Sequence, residues 1–152
     1  MVQDQNYQVQ EVQLIYKSKF KPSERPTVSS SRECYQLLLD GWNKKIMGFI
    51  EEFKILLLNR RSKVIGVYQV SSGSTCATLV DPILIFGAAI KAVASSIVLC
   101  HNHPSGNLKP SQADLNLTSK LAAGGALLDI KVIDHLIISE DGYYSFADEG
   151  LI

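Results

Sequence analysis

Ser96 to Cys100 reads SIVLC, and the polar stretch HNHPSGNLKP follows it at once. A short, apolar, β-branched run of this kind specifies a buried strand, because a buried helix would need a longer pattern. The signals on either side set its context. Asp81-Pro82 starts a helix, with Asp as N-cap and Pro in the first turn. That helix continues through FGAAIKAVA, and its alanines and Gly87 permit close packing on a sheet. After the strand, Ser111 caps a second helix, SQADLNLTSKLAAGGA, whose expected end is near Gly124-Gly125. A further strand, Ile130 to Ile138, is apolar on both faces. The chain must therefore fold around a strand-helix-strand unit with helices packed on a sheet.

Earlier in the chain, Ser30-Ser31-Arg32-Glu33 has the S-x-x-E spacing of a capping box, predicting a helix through Leu37, Leu38 and Leu39 to about Gly41. Glu52 to Leu58 and Lys63 to Val70 read as two strands of a hairpin around the polar turn Asn59 to Ser62. Ser71 to Ser74 is expected as a loop and one wall of a cleft, with a short strand near Thr75 to Leu79. At the C-terminal end, Glu140-Asp141-Gly142 turns into a last strand, Tyr143 to Phe146, whose aromatic rings close the edge of the core. The least regular part is residues 1–28, a strand from Val9 to Tyr16 and then an extended arm, Lys17 to Val28. That arm belongs to the same domain as residues 29–152, and its Lys17, Lys19, Lys21 and Arg25 read as a solvated face. The class is α/β, a curved mixed β-sheet flanked by helices.

The chain has 152 residues, with 46% hydrophobic and 20% charged, enough for one domain with a real core. Fifteen basic residues balance fifteen acidic ones, so the totals give no electrostatic footprint for nucleic acid. No apolar run is long enough to cross a bilayer, and MVQDQNYQVQ is not a secretory signal. The expected location is the cytoplasm, with no membrane partner. Cys34, Cys76 and Cys100 are odd in number and widely spaced, which fits neither a disulfide framework nor a thiolate zinc site.

The chemistry concentrates between Cys100 and Asp114. His101 and His103 lie two apart in an extended segment, so both imidazoles face the same side. They stand at the carboxyl end of a strand, where α/β sheets build their sites. A carboxylate eleven residues beyond His103, in the first turn of a helix, can complete a set of three zinc ligands. Such a set leaves a fourth position for water. Each residue also has a quieter role: Ser111-x-x-Asp114 is a helix N-terminal signature by itself. Cys100 points away from His101 and reads as a buried thiol. His135, in an apolar strand, reads either as a donor behind a metal ligand or as a satisfied core histidine, and with no identifiable partner the structural role is favoured. Asp129 and Asp134 read as loop-orienting or surface-paired.

The pattern H-x-H, seven residues, Ser, two residues, Asp resembles the JAMM signature of MPN-type domains, with His101, His103, Ser111 and Asp114 in register. The longer strings SSIVLCHNHPSG, PSQAD and LLDIKVIDHLIIS are similar to the RadC branch of that class, and the likeness runs from about Gly48 to Leu151. It implies the JAMM/MPN (cytidine-deaminase-like) fold, a zinc cofactor and metal-assisted hydrolysis of an amide or isopeptide bond in a protein or peptide. His101, His103 and Asp114 would be the metal ligands. Glu51 stands in the register of the class's general base, with Glu52 as the intervening residue, and Ser111 would stabilise the oxyanion. The RadC branch carries asparagine where Asn102 stands, whereas many JAMM proteases have serine or threonine. The alternative the likeness implies is an accessory module in DNA repair, recombination or mobile-element transfer, with a structural zinc. Longer RadC proteins place a helix-hairpin-helix segment ahead of the domain, and the first 47 residues here show no G-x-G turn between two helices. DNA and repair proteins are thus partners by resemblance alone.

Overall fold

The structure, a computed structural model, describes residues 13, 15–73 and 79–152. The expected strand from Val9 to Tyr16 and the one near Thr75 to Leu79 lie mostly outside the described residues. Of the first, Gln13, Ile15 and Tyr16 are described and are not strand.

Among the described residues, the α-helices and strands follow in the order α1 (Ser31–Asp40), α2 (Lys44–Met47), β1 (Glu52–Leu58), β2 (Val64–Ser72), α3 (Pro82–Lys91), β3 (Ser96–Asn102), α4 (Gln112–Leu127), β4 (Lys131–Ser139) and β5 (Gly142–Ser145). The strands form one open sheet in the order β2-β1-β3-β4-β5. β3 and β4 run parallel, joined over the sheet by α4, while the other neighbours are antiparallel. The mixed sheet expected from the sequence is therefore present.

Alternation along β1 and β3 divides the core into two layers. On one face Leu56, Leu58, Val98 and Cys100 pack against Cys34, Leu38, Leu39, Trp42 and Met47 of the α1–α2 region. On the other, Phe53, Ile55, Leu57, Ile97 and Leu99 pack against Ile85, Phe86 and Ala89 of α3 and Leu121 of α4. The Cys100 thiol is fully buried in the first layer, and burial raises its pKa well above the ordinary value. Along β4 the register shifts against Ile97/Val98, so Ile97 pairs with Val132 and Val98 with Asp134. The extra residue, Ile133, lets both Val132 and His135 face α4, which regular alternation forbids. That bulge is what turns His135 toward β3 and α4.

Caps fix the helix starts as the sequence indicates. Ser30, Asp81 and Ser111 accept backbone N–H groups through their side chains. Glu33 reaches one residue past the N-cap, accepting from Ser29 N at 2.6 Å. Several boundaries differ from expectation. α4 runs through Gly124 and Gly125 to Leu127, and α3 stops at Lys91 short of Ala94. β2 extends over Ser71 and Ser72, which were expected as loop. β3 takes in His101 and Asn102. The arm crosses the hairpin through a bridge between Thr27 and Lys63, and Lys17, Lys19 and Lys21 are exposed. Among the described residues, no helix is long and apolar enough to cross a membrane.

Candidate metal centre

Strand β3 delivers His101 at its last inward-facing position, where only 1% of the residue is exposed. His103 follows in the turn, half-buried, with its Nδ1 2.5 Å from the Asn107 carbonyl. Asp114 sits at the third position of α4. Its Oδ2 accepts from both the Ser111 backbone N–H and the Ser111 hydroxyl, each at 2.7 Å, completing a capping box. The cap orients the carboxylate, so Oδ1 faces His101 Nε2 at 3.3 Å.

The three side chains converge. One ligand atom from each of His101, His103 and Asp114 lies within 4.8 Å of the others, a set that can hold a metal ion. His101 Nε2 and His103 Nε2 are 3.0 Å apart. The Asn107 carbonyl engages His103 Nδ1, and His135 Nε2 lies 2.8 Å from His101 Nδ1. Two imidazole nitrogens and a carboxylate directed at one point need a cation between them, a proton or a metal. Electrostatics reflect this. Hydrogen bonding to Asp114 raises the His103 pKa above its ordinary value, against its partial burial, and the charge of Glu51 adds to the rise. Burial pushes the Asp114 carboxyl up, but bonds to His101 and His103 outweigh it and hold it well below the carboxylate range.

This set lies in a cavity of about 480 Å³ whose walls include Glu51, Phe53, Val80, Leu117 and Lys109. Glu51 precedes β1 on the same side as Phe53, and the Phe53 ring stacks on His101 at 5.8 Å. Glu52 turns to the opposite face, where its buried carboxylate lies 3.7 Å from Lys54 Nζ, itself 4.0 Å over the Trp42 ring. Ser111 also lines the cavity, with its hydroxyl hydrogen engaged by Asp114. Ser71, Ser72 and Gly73 are not among the lining residues, and Ser74 lies outside the described ones.

Three further residues support the centre. Asn102, fully buried on the far side of β3, accepts from Glu52 N and donates to the Met47 and Ile50 carbonyls, each at 2.8 Å. It thus clamps the chain on both sides of Glu51. His135, read from sequence as a residue without a partner, has two: His101 and, at 2.6 Å from its Nδ1, the Thr118 hydroxyl. Burial pushes its pKa well below the ordinary value, which favours the neutral ring. Phe146 stacks on its other face at 4.7 Å. Thr118 was not singled out from the sequence; its one signal is its place a turn beyond Asp114, on the same side of α4. Asp134 is buried and organises the chain after β5, accepting from Ser145 Oγ and Ala147 N.

Comparison with known proteins agrees with this architecture. The sequence matches the RadC-like JAB domain over residues 28–151. A UPF0758 protein of Flavobacterium johnsoniae is 44% identical over 126 residues, covering 82% of this chain and 53% of its own length. A UPF0758 protein of Porphyromonas gingivalis is 46% identical over 103 residues, covering 67% of this chain and 45% of its own. The chain thus spans about half the length of the curated relatives it matches. With that match over most of its length, the chain belongs to the RadC-like JAB domain proteins.

Proposed function

We propose that the chain is a zinc-dependent hydrolase of metallopeptidase type, cleaving an amide or isopeptide bond. The observation that carries this reading is the convergence of His101 Nε2, His103 Nε2 and Asp114 in a cavity whose wall also bears Glu51. Imidazole and carboxylate ligands suit zinc, and three of them leave room for water or substrate. Zinc held there supplies Lewis acidity, polarising a carbonyl and easing the loss of a proton from water.

The remaining steps belong to the protein. Glu51 takes the water's proton and returns it to the leaving nitrogen, which keeps the overall charge balanced. Its backbone is held for this by the Asn102 clamp and by the Gly73 N–H bond to its own carbonyl at 2.8 Å. Ser111 has a resting partner in Asp114. To stabilise an oxyanion, its hydroxyl hydrogen turns from Asp114 into the cavity, while the Ser111 N–H keeps the carboxylate in place. Phe53, Val80 and Leu117 give the cavity an apolar wall, and Lys109 a positive one, suited to a short peptide segment.

Metal content tests the first half of this reading. Mass spectrometry of the untagged protein is expected to give about one zinc per chain, and Asp114→Ala is expected to lose it. Glu51→Gln tests the second half: zinc is retained while hydrolysis of peptide or isopeptide substrates falls by about 10²-fold or more. Full activity in that variant would remove Glu51 from the mechanism. Absence of zinc from the wild type after zinc is supplied would remove the enzyme reading.

A further inference from the structure

We propose that Thr118 and His135 are positioning residues that fix His101 as its Nδ1–H tautomer and so present its Nε2 lone pair to the ion. This inference rests on the metal-centre reading above, yet its central claim concerns protons in the protein alone. The direction of the chain follows from its first link. Thr118 Oγ1 lies 2.6 Å from the Asp114 backbone carbonyl, which can only accept. The single hydroxyl hydrogen of Thr118 is therefore spent on Asp114. At 2.6 Å, His135 Nδ1 then meets an oxygen with only lone pairs to offer, so Nδ1 carries the proton. A neutral imidazole has one N–H, which leaves His135 Nε2 bare. That bare nitrogen lies 2.8 Å from His101 Nδ1, which must then be the donor. His101 Nε2, directed toward His103 and Asp114, is then the nitrogen whose lone pair becomes available once an ion replaces the proton it shares with them.

Burial makes the relay decisive. Thr118 is 2% exposed, His101 1% and His135 0%, so no solvent substitutes for a lost link. The reverse direction requires a doubly protonated His135, whose cation would sit unsolvated between Phe53 and Phe146. Thr118 also has a double role. It stands four residues after Asp114, so one hydroxyl ties the turn carrying the carboxylate ligand to His135 of β4, and through His135 to the imidazole ligand on β3. A histidine that merely filled the core would stabilise the fold and leave both tautomer and metal affinity alone.

Two measurements decide this. Long-range ¹H–¹⁵N NMR of the metal-free wild type near neutral pH reads the tautomers directly. The expected result is a protonated Nδ1 and bare Nε2 in His135, and a protonated Nδ1 in His101. A protonated His135 Nε2 would overturn the proposal. Separately, competition with a chromophoric chelator gives the zinc affinity of Thr118→Val, expected to weaken by about 10- to 100-fold, as loss of an outer hydrogen bond does elsewhere. Thr118→Ser, which keeps the hydroxyl, is expected to restore it. A folded Thr118→Val that binds zinc as tightly as wild type also overturns the proposal. Should that variant not fold, the wild-type tautomers stand as the deciding result. If the wild type binds no zinc at all, the metal reading fails, and the NMR pattern still judges the relay by itself.

Discussion

At the scale of single residues, the centre depends on side chains that never face the cavity. Asn102 is the clearest of these. Its neighbours His101 and His103 face one side of β3, so alternation sends Asn102 to the other. There its one acceptor and two donors are all used, and a flipped amide would set two carbonyls against its oxygen. Serine in its place can make one of the two donor bonds and leaves the other carbonyl without this partner. Asn102→Ser is therefore expected to cost about 1–3 kcal/mol of stability, measured by denaturant unfolding. It is also expected to lower hydrolysis more than zinc affinity, because the clamp holds the chain around Glu51 and touches no ligand. Equal losses of both would show that Asn102 serves the whole site. The sequence alone could assign the register of Glu51 by resemblance, but not what holds it. The partners of Asn102 lie 50 to 55 residues away, and no local pattern encodes such a contact.

Among the elements, helix ends were the poorest guide and strands the best. β1 and β3 were legible because their apolar runs are short and bounded. The bulge at Ile133, by contrast, leaves no mark in an apolar strand, and it alone turns His135 toward the site. Gly124-Gly125 suggested a helix end, yet α4 continues to Leu127, beyond which Asp129 adopts φ 54° and Ile130 N bonds back to the Gly125 carbonyl at 2.9 Å. Gly125 serves packing, since a Cβ there would meet the Ile130 carbonyl oxygen at 2.2 Å. Gly125→Ala is expected to destabilise by roughly 2 kcal/mol or more, because backbone rather than a flexible side chain must move. α3 ends with the same pattern: Ala94 N bonds the Ala89 carbonyl at 2.9 Å while Val93 takes φ 55°. Glycine is the usual residue at such a position, and a β-branched one is strained there. The exposed Val93 loses little packing on replacement, so Val93→Gly is expected to raise stability by about 1 kcal/mol. A lowered urea midpoint would contradict this account of the α3 terminus.

For the whole molecule, the same ionisable groups make stability and metal binding depend on pH in different ways. Burial depresses the His135 pKa, so its contribution is present above the ordinary histidine value of 6.5 and is lost as pH falls below it. Asp114 is depressed too, and its contribution is lost as pH falls below its ordinary 3.8. His103 runs the other way. Its raised pKa stabilises the metal-free fold below 6.5, and that contribution is lost as pH rises through the raised value. Zinc and the proton compete for His103 Nε2, because a ligating imidazole must be neutral. The stabilisation that zinc gives is therefore expected to grow with pH across the raised His103 pKa. At free zinc a thousand times the dissociation constant it reaches about 4 kcal/mol. Below that pKa, the dissociation constant rises by up to about tenfold per pH unit for the one proton displaced, equivalent to about 1.4 kcal/mol. Thermal unfolding with zinc and with chelator, at several pH values between about 5.5 and 8, measures the increment. Asp114→Ala is expected to abolish it at every pH. An increment that persists unchanged at the acid end would mean that zinc binds without displacing the His103 proton, and the ion would then belong elsewhere on the molecule.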